Sequence, residues 1–437
     1  MTRQELTDLD FAHLWHPFTQ QSEWTAETPL IIAAAEGCEL IDIEGRRYLD
    51  GVGSLWVGVH GHGHPRVDAA LRTQIDKVAH STFLGLSHEP GIRLAQALVR
   101  IAPPGLERVF YSDSGSTAVE VALKMAYQCQ QQSGEIKRTR FAALSNAYHG
   151  DTIGSVSLGG IDLFHQVYRP LLFEAQRLEA PVFYEREEAL AQAAIEAIRQ
   201  EGESLAALIV EPLVQGATGM HMHSPAFLDP ILGAAKEVGA LVILDEVATG
   251  FGRTGTLFAS EQLETPPDFL CLGKGLTNGT LPLAATLTTS RVYEAFLGDP
   301  GRTFFHGHTY TANPLGCAAA LACIEVLEEE KVIASLSPRI DLLRERLQQT
   351  AALPWVHQVR QKGLMVGIEL RNPEGKRFDA GDRVGKAVCA LARKEGVILR
   401  PLGDTLVLMP ALVMPGEMLL RLVDTAERAI GKHLDPR

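Results

Sequence analysis

The chain has 437 residues, 46% of them hydrophobic and 21% charged, with a formal net charge of −13. That length suits a large folded unit plus a smaller one, and the balance is that of an ordinary globular protein. An acidic chain has no basic excess to neutralise phosphates, so nucleic acid is excluded as the expected partner. No apolar run approaches the roughly 20 residues that span a bilayer, so no membrane role is expected.

The opening stretch, MTRQELTDLDFAHLW, is polar and acidic, unlike a signal peptide. Cys38, Cys129, Cys271, Cys317, Cys323 and Cys389 are scattered and form no CxxC, which predicts reduced core thiols in a cytoplasmic protein. Residues 1–35 carry Phe11, Trp15, Phe18 and Trp24 with little periodicity, which predicts an arm packed on something else, such as a partner subunit. From Cys38 to Leu49 the pattern predicts a hairpin turning at Glu44-Gly45. A Gly- and His-rich stretch, GVGSLWVGVHGHGHP, follows. Residues 66–102 read as two helices with a break near His88-Glu89-Pro90.

From about 106 to 290, short apolar runs alternate with helical patterns. The predicted strands are Arg108–Tyr111, Phe141–Leu144, Leu205–Val210, Leu241–Leu244, Phe269–Leu272 and Ala284–Leu287, with helices over 116–130, 187–200 and 226–238. This alternation predicts βαβ units and a mainly parallel sheet, an α/β fold. Residues 313–331 and 335–350 read as helices, and after Pro354 the order strand, strand, helix, strand, helix predicts a small α+β unit. The expected division is an N-terminal arm and part of the small domain over 1–65, a large domain over 66–332 and a C-terminal small domain over 333–437.

The stretch Leu241–Gly275 carries the chemistry. The apolar run Leu241–Leu244 ends in Asp245-Glu246, and the run Phe269–Leu272 ends in Gly273-Lys274-Gly275. Ligands of open α/β sheets sit at the carboxyl ends of strands, so a carboxylate and a lysine are placed side by side there. A desolvated lysine has a lowered pKa and a nucleophilic amine. Such a pair suits pyridoxal 5'-phosphate: the lysine bonds the cofactor aldehyde, and the aspartate keeps the pyridine nitrogen protonated. The alternatives are a buried ion pair, or an aspartate helix cap with a surface lysine.

Ser112-Asp113-Ser114-Gly115-Ser116 follows a strand and opens a helix, where free N–H groups hold a phosphate; the alternative is N-capping by Ser116. Tyr148, in Asn146–Gly150, stands at another strand end and suits ring stacking, or else is a core tyrosine. Gly250–Gly255 matches GxGxxG, but no long helix leads on to an acidic strand end, so it is expected to be a tight loop beside the site and not a nicotinamide dinucleotide site. His60, His62, His64, His306 and His308 alternate as zinc ligands do, yet nothing completes a ligand set and no metal is expected. Arg400 ends the run Val397–Leu399 and suits a carboxylate, or is a surface arginine.

Together these segments resemble the class III pyridoxal-phosphate-dependent aminotransferases of fold type I, over nearly the whole chain. The most specific match is LVILDEVATGFGRTG followed by the GKG lysine; further matches lie at 14–20, 113–126, 146–152, 209–220, 270–277, 304–320 and 400–404. The resemblance implies that Lys274 carries the cofactor covalently and moves a proton, and that Asp245 pairs with the ring nitrogen. It further implies that Tyr148 stacks on the ring, Val247 packs on the opposite face, and Gly115 and Ser116 hold the phosphate. Gly307, His308 and Thr309 would reach the phosphate in the partner subunit's site, which implies a homodimer with shared sites. Phe18, Leu55, Trp56, Tyr148, Lys274, Gly307 and Arg400 would meet small-molecule substrates, with Arg400 on a carboxylate. Glu211 matches a class III glutamate near the site.

Overall fold

The computed structural model describes residues 1–161, 166–379 and 381–435. Its centre is a seven-stranded sheet in the order Leu106–Ser112, Ala284–Thr289, Phe269–Leu272, Leu241–Asp245, Leu205–Val210, Arg140–Leu144, Ala175–Leu178. Only Ala284–Thr289 runs antiparallel to its neighbours; the pairings among the five strands from Phe269–Leu272 outward are parallel. The fold is therefore the mainly parallel α/β arrangement of fold type I. The edge strand Ala175–Leu178 was not among the predicted strands: AQRL has only two apolar residues and no run to detect.

The central strands are buried on both faces, so every residue of Leu205–Val210 and Leu241–Asp245 is inside. Their side chains alternate between two clusters. Leu241 and Ile243 pack with Ala118, Val119, Ala122 and Ala126 of the helix Gly115–Gln132, while Val242 and Leu244 join the core containing Leu190, Ile198, Phe227 and Ile231. The latter residues come from helices Glu187–Glu201 and Pro225–Glu237. Burying each Val, Leu or Ile side chain contributes about 1.5–3 kcal/mol, and this two-sided burial fixes where each strand ends.

Two smaller sheets flank the centre. Val356–Lys362, Met365–Leu370, Thr405–Leu408 and Arg400–Leu402 form one antiparallel sheet. Ile32–Glu36, Glu39–Asp42 and Arg47–Asp50 form the other, completed by Val397–Ile398, which pairs in parallel with Leu49 and Asp50. The predicted hairpin is thus present, with Gly45 at φ 80° in its turn. The chain over 397–402 passes directly from one small sheet to the other.

Two local expectations need correction. The N-terminal stretch contains a helix, Arg3–His13, closed by a reciprocal cap between Thr2 and Glu5, and Trp24 Nε1 donates to Asp10 at 2.6 Å. Polar residues on most of its surface hid the helical period. His88-Glu89-Pro90 starts a helix, Glu89–Ile101, with the His88 ring as its cap and proline in its first turn; the break is the longer segment 78–88.

The segment after Arg47–Asp50 is unusual. Gly53, Ser54, Leu55 and Trp56 have φ of 51°, 45°, 67° and 74°, a full left-handed turn. Left-handed helical backbone costs roughly 1–2 kcal/mol for each non-glycine residue, so three such residues must be held by their surroundings.

Candidate active site

Strand polarity brings the carboxyl ends of Leu106–Ser112, Arg140–Leu144, Leu205–Val210, Leu241–Asp245 and Phe269–Leu272 to one edge of the sheet. The segments that follow them supply Gly115, Tyr148 and His149, Glu211, Asp245 and Lys274. Asp245 is buried; its Oδ2 lies 2.7 Å from His149 Nδ1, and its Oδ1 accepts the Val247 N–H at 3.1 Å. His149 is itself buried, and its Nε2 has no hydrogen-bond partner among the described residues.

Lys274 follows its strand through Gly273 and takes φ 42°, a left-handed conformation at the start of a single tight turn. Its Nζ lies 5.3 Å from the centre of the Trp56 ring. Burial pushes its amine below the usual lysine range, partly opposed by the negative charges of Asp245 and Glu211 and aided by the positive charge of Arg253. Glu211 is buried and accepts the Tyr148 N–H at 2.9 Å and the Gly216 N–H at 3.0 Å. Burial lifts its carboxyl to about 7, despite the lowering pull of His149 and the two backbone donors.

Val247 and the glycines shape the floor. A Cβ on Gly115 would overlap the Val247 side chain, and one on Gly150 would overlap Ser116, so both glycines are required by close approach. Ser116 Oγ bonds the Thr152 hydroxyl at 2.8 Å and accepts the Thr152 N–H at 3.1 Å. Ser114, not Ser116, caps the helix Gly115–Gln132, so the capping alternative for Ser116 is wrong. Tyr148 donates its hydroxyl to Asp151 at 2.7 Å, and burial raises its phenol while the nearby charge of Arg400 lowers it. Arg400 is half-buried at the first position of Arg400–Leu402, and no carboxylate pairs with it among the described residues.

Other expected residues sit further out. Phe18 and Leu55 are 58% and 49% exposed, whereas Trp56 is buried, its indole Nε1 without a hydrogen bond among the described residues and its ring against Gly216. Gly307 and Thr309 are exposed; His308 Nε2 lies 3.9 Å from Asp113 Oδ1, just before the helix Gly115–Gln132. The histidines of the HGHGHP stretch are separately engaged: His60 with the Cys323 carbonyl, His62 with Asp50, His64 with Glu330. The Gly250–Gly255 loop leads into a single short turn, Ala259–Gln262, without the long helix of a dinucleotide fold.

Sequence reasoning missed two groups here. His149 lies in the NAYHG motif, but nothing in one sequence shows that its ring reaches Asp245 across 96 positions. Arg253 lies inside the GxGxxG match, where attention falls on glycines; it is fully buried with no carboxylate partner among the described residues, which no local pattern signals.

The model of the aminotransferase class-III family matches residues 20–430. The chain belongs to the class III aminotransferases, and so is a pyridoxal 5'-phosphate-dependent enzyme. It is 52% identical, over 97% of its length and 81% of the relative's, to the adenosylmethionine-8-amino-7-oxononanoate aminotransferase of Nitratidesulfovibrio vulgaris. The enzyme of the same name from Geobacter sulfurreducens is 46% identical over 98% of this chain and 97% of the relative. Among solved structures, the one of that name from Methanocaldococcus jannaschii superposes with a TM-score of 0.96 at 41% identity, covering 99% of this chain and all of the other.

The geometry fits the cofactor. A buried carboxylate, an imidazole nitrogen with no hydrogen-bond partner among the described residues and a buried lysine amine converge at one strand-end edge, beside a glycine-lined helix start.

Proposed function

We propose that this chain transfers an amino group from S-adenosylmethionine to the ketone of 8-amino-7-oxononanoate, giving 7,8-diaminononanoate for biotin biosynthesis. The single observation that carries the reading is the meeting of Lys274 with the Asp245–His149 pair in a chain 52% identical to a relative of that name. Bound pyridoxal phosphate supplies the electron sink for the carbanionic character at the substrate carbon. In this reading Lys274, its amine favoured by burial, holds the cofactor and takes and returns the proton at that carbon. Asp245, fixed by His149 and the Val247 N–H, holds a positive charge on the ring nitrogen. Gly115 and Ser116 bind the phosphate, Tyr148 and Val247 bracket the ring, and Arg400 takes a substrate carboxylate.

We also propose a cytoplasmic homodimer. The exposed apolar residues Leu84, Leu86, Phe305 and Tyr310 support it, as does the exposure of Gly307 and Thr309 on the segment assigned to the partner's phosphate. The division at 65 and 332 is kept as the proposed domain plan; the pairing of Val397–Ile398 with Arg47–Asp50 supports assigning the N-terminal strands to the small domain.

A second reading keeps the acceptor and replaces the donor by lysine. Phe18 and Leu55 favour it: the family resemblance implies tyrosine and tryptophan at these positions, and both residues are exposed. Val407, where the family resemblance implies a tyrosine, is fully buried in the core beside Trp56. The test is to mix the cofactor-loaded enzyme with each donor separately and follow the visible absorbance of the lysine-bound cofactor. Loss of absorbance, followed by amination of added 8-amino-7-oxononanoate, is expected; no loss with any amine overturns the assignment.

A further inference from the structure

Beside the helix start at Gly115 and Ser116, one carboxylate collects bonds from a second segment. Glu120 is half-buried in the second turn of the helix Gly115–Gln132. Its Oε1 accepts both the Thr152 hydroxyl, at 2.6 Å, and the Ser155 N–H, at 3.0 Å. Thr152 precedes the short helix Ile153–Leu158, and a threonine in that place ordinarily accepts the N–H three residues on. Here its side chain makes no such bond, because Glu120 takes the Ser155 N–H in its stead. The Thr152 hydroxyl therefore stands between Glu120 and the Ser116 hydroxyl, 2.8 Å away. A Cβ on Gly154 would overlap the Glu120 carboxylate, so glycine there is what lets the two segments come this close.

The donor directions follow from the groups themselves. A carboxylate only accepts, so the one hydroxyl proton of Thr152 points at Glu120, whose 2.6 Å contact outcompetes the 3.1 Å one to Ser155 Oγ. Toward Ser116, Thr152 Oγ1 is then an acceptor, while Ser116 Oγ accepts the Thr152 N–H at 3.1 Å. Ser155 Oγ donates to the Ser116 carbonyl at 3.2 Å. Ser116 is thus held by bonds that it receives, and its own proton is the one that can turn toward an anion at the helix start. When it turns, Thr152 keeps Glu120 and Ser155 keeps the Ser116 carbonyl, so no donor of the group is left without an acceptor.

We propose that Glu120 is a positioning residue for the cofactor phosphate: acting through Thr152, it sets the place and the donor direction of the Ser116 hydroxyl. The inference rests on the reading in which Gly115 and Ser116 hold that phosphate. The effect belongs to the acceptor oxygen and not to the charge, so Glu120→Gln retains it and Glu120→Ala removes it.

The experiment titrates the full chain, stripped of cofactor, with pyridoxal 5'-phosphate and separately with pyridoxal, which lacks the phosphate. The visible absorbance of the lysine-bound form reports both. Wild type, Glu120→Ala, Glu120→Gln, Thr152→Val and Glu120→Ala/Thr152→Val are compared. Glu120→Ala and Thr152→Val are each expected to weaken pyridoxal 5'-phosphate about ten-fold or more, the scale of one hydrogen bond to a charged group, and to leave pyridoxal within about two-fold. The double variant should stay within about three-fold of either single one, because both substitutions cut the same path. Glu120→Gln keeps an oxygen for both donors and should stay within about three-fold of wild type. No loss in the single variants, equal losses for the two ligands, additive losses in the double variant, or a glutamine variant as weak as the alanine one overturns the proposal. If Glu120→Ala does not fold, Thr152→Val decides: selective loss of the phosphate ester supports the proposal, and equal loss or none overturns it. A wild type without the lysine-bound absorbance for either ligand defeats the aminotransferase reading itself, and the proposal with it.

Discussion

The floor and the wall of the site are built on different principles. The floor, with Asp245, His149, Glu211 and Lys274, hangs from the ends of strands that are buried on both faces. The proposed wall, with Phe18, Leu55 and Arg400, sits on a short exposed stretch, a left-handed turn and the first residue of a three-residue strand. In the proposed reading, the chemistry is placed where packing leaves no freedom, and choice of substrate where the backbone is held by a few polar ties. Changes on the floor should abolish or reshape the reaction; changes on the wall should shift affinities and leave the chemistry running.

The sharpest test of the floor is Lys274→Ala, expected to abolish transamination with the fold intact. Loss of proton transfer alone is worth roughly 10²–10⁴-fold, and covalent attachment goes with it. Turnover near wild type, measured on cofactor-loaded protein, would place the reacting amine elsewhere.

A pH experiment probes the burial behind the floor. Glu211 is ordinarily half-ionised near 4.5 and is lifted to about 7 by burial, so its neutral form is the one the fold prefers. The contribution is fully present below about 4.5 and is lost as pH rises through about 7. At about 1.36 kcal/mol per pKa unit the change is on the order of 3 kcal/mol. Glu211→Gln, neutral at every pH, should flatten the decline in denaturant-measured stability between pH about 5 and about 8. Some slope should persist, because Glu246 is lifted to about 7 by the same cause. Identical slopes in wild type and variant would mean that Glu211 is solvated in solution.

Asp245→Asn keeps the shape and removes the charge. Charge-assisted hydrogen bonds contribute roughly 1.5–3 kcal/mol, so weaker cofactor retention and a rate lower by about 10–100-fold are expected. Full cofactor occupancy with an unchanged rate would contradict the assigned role.

The smallest effects belong to the wall. Leu55→Trp adds an aromatic face for a bulky cationic donor, worth about 0.5–2 kcal/mol, and should lower the KM for S-adenosylmethionine. Phe18→Tyr adds a hydroxyl worth about 1 kcal/mol. Steady-state rates with S-adenosylmethionine and with lysine check both. Tight use of S-adenosylmethionine by the wild type, with no gain in either variant, would show that other residues shape the donor pocket.

The same contrast explains what was legible in the sequence. Asp245 and Lys274 were readable because each terminates an apolar run long enough to predict a buried strand, and all six predicted central strands needed at most two residues added at either end. The antiparallel strand Ala284–Thr289 extends past its prediction through Thr288 and Thr289, whose hydroxyls end the apolar run. Ala175–Leu178 escaped because an edge strand needs few apolar residues. The left-handed turn was invisible for a deeper reason: GSLW carries a single glycine, and its conformation is imposed by Asp50 and by Arg253, about 200 positions away. His149 was hidden likewise, because its partner is supplied by the sheet and not by its neighbours.

The passage of residues 397–402 between the two small sheets sets an order on the birth of the molecule. The strand Arg47–Asp50 is made near the beginning of synthesis, and its parallel partner Val397–Ile398 near the end. Until that partner emerges, the hairpin has an open edge, and Arg253, which donates to the Trp56 and Gly58 carbonyls at the end of the left-handed turn, lacks the Pro410 carbonyl to which it also donates. The proposed substrate wall is therefore among the last parts of the protein that can exist, assembled only when nearly the whole chain has been translated.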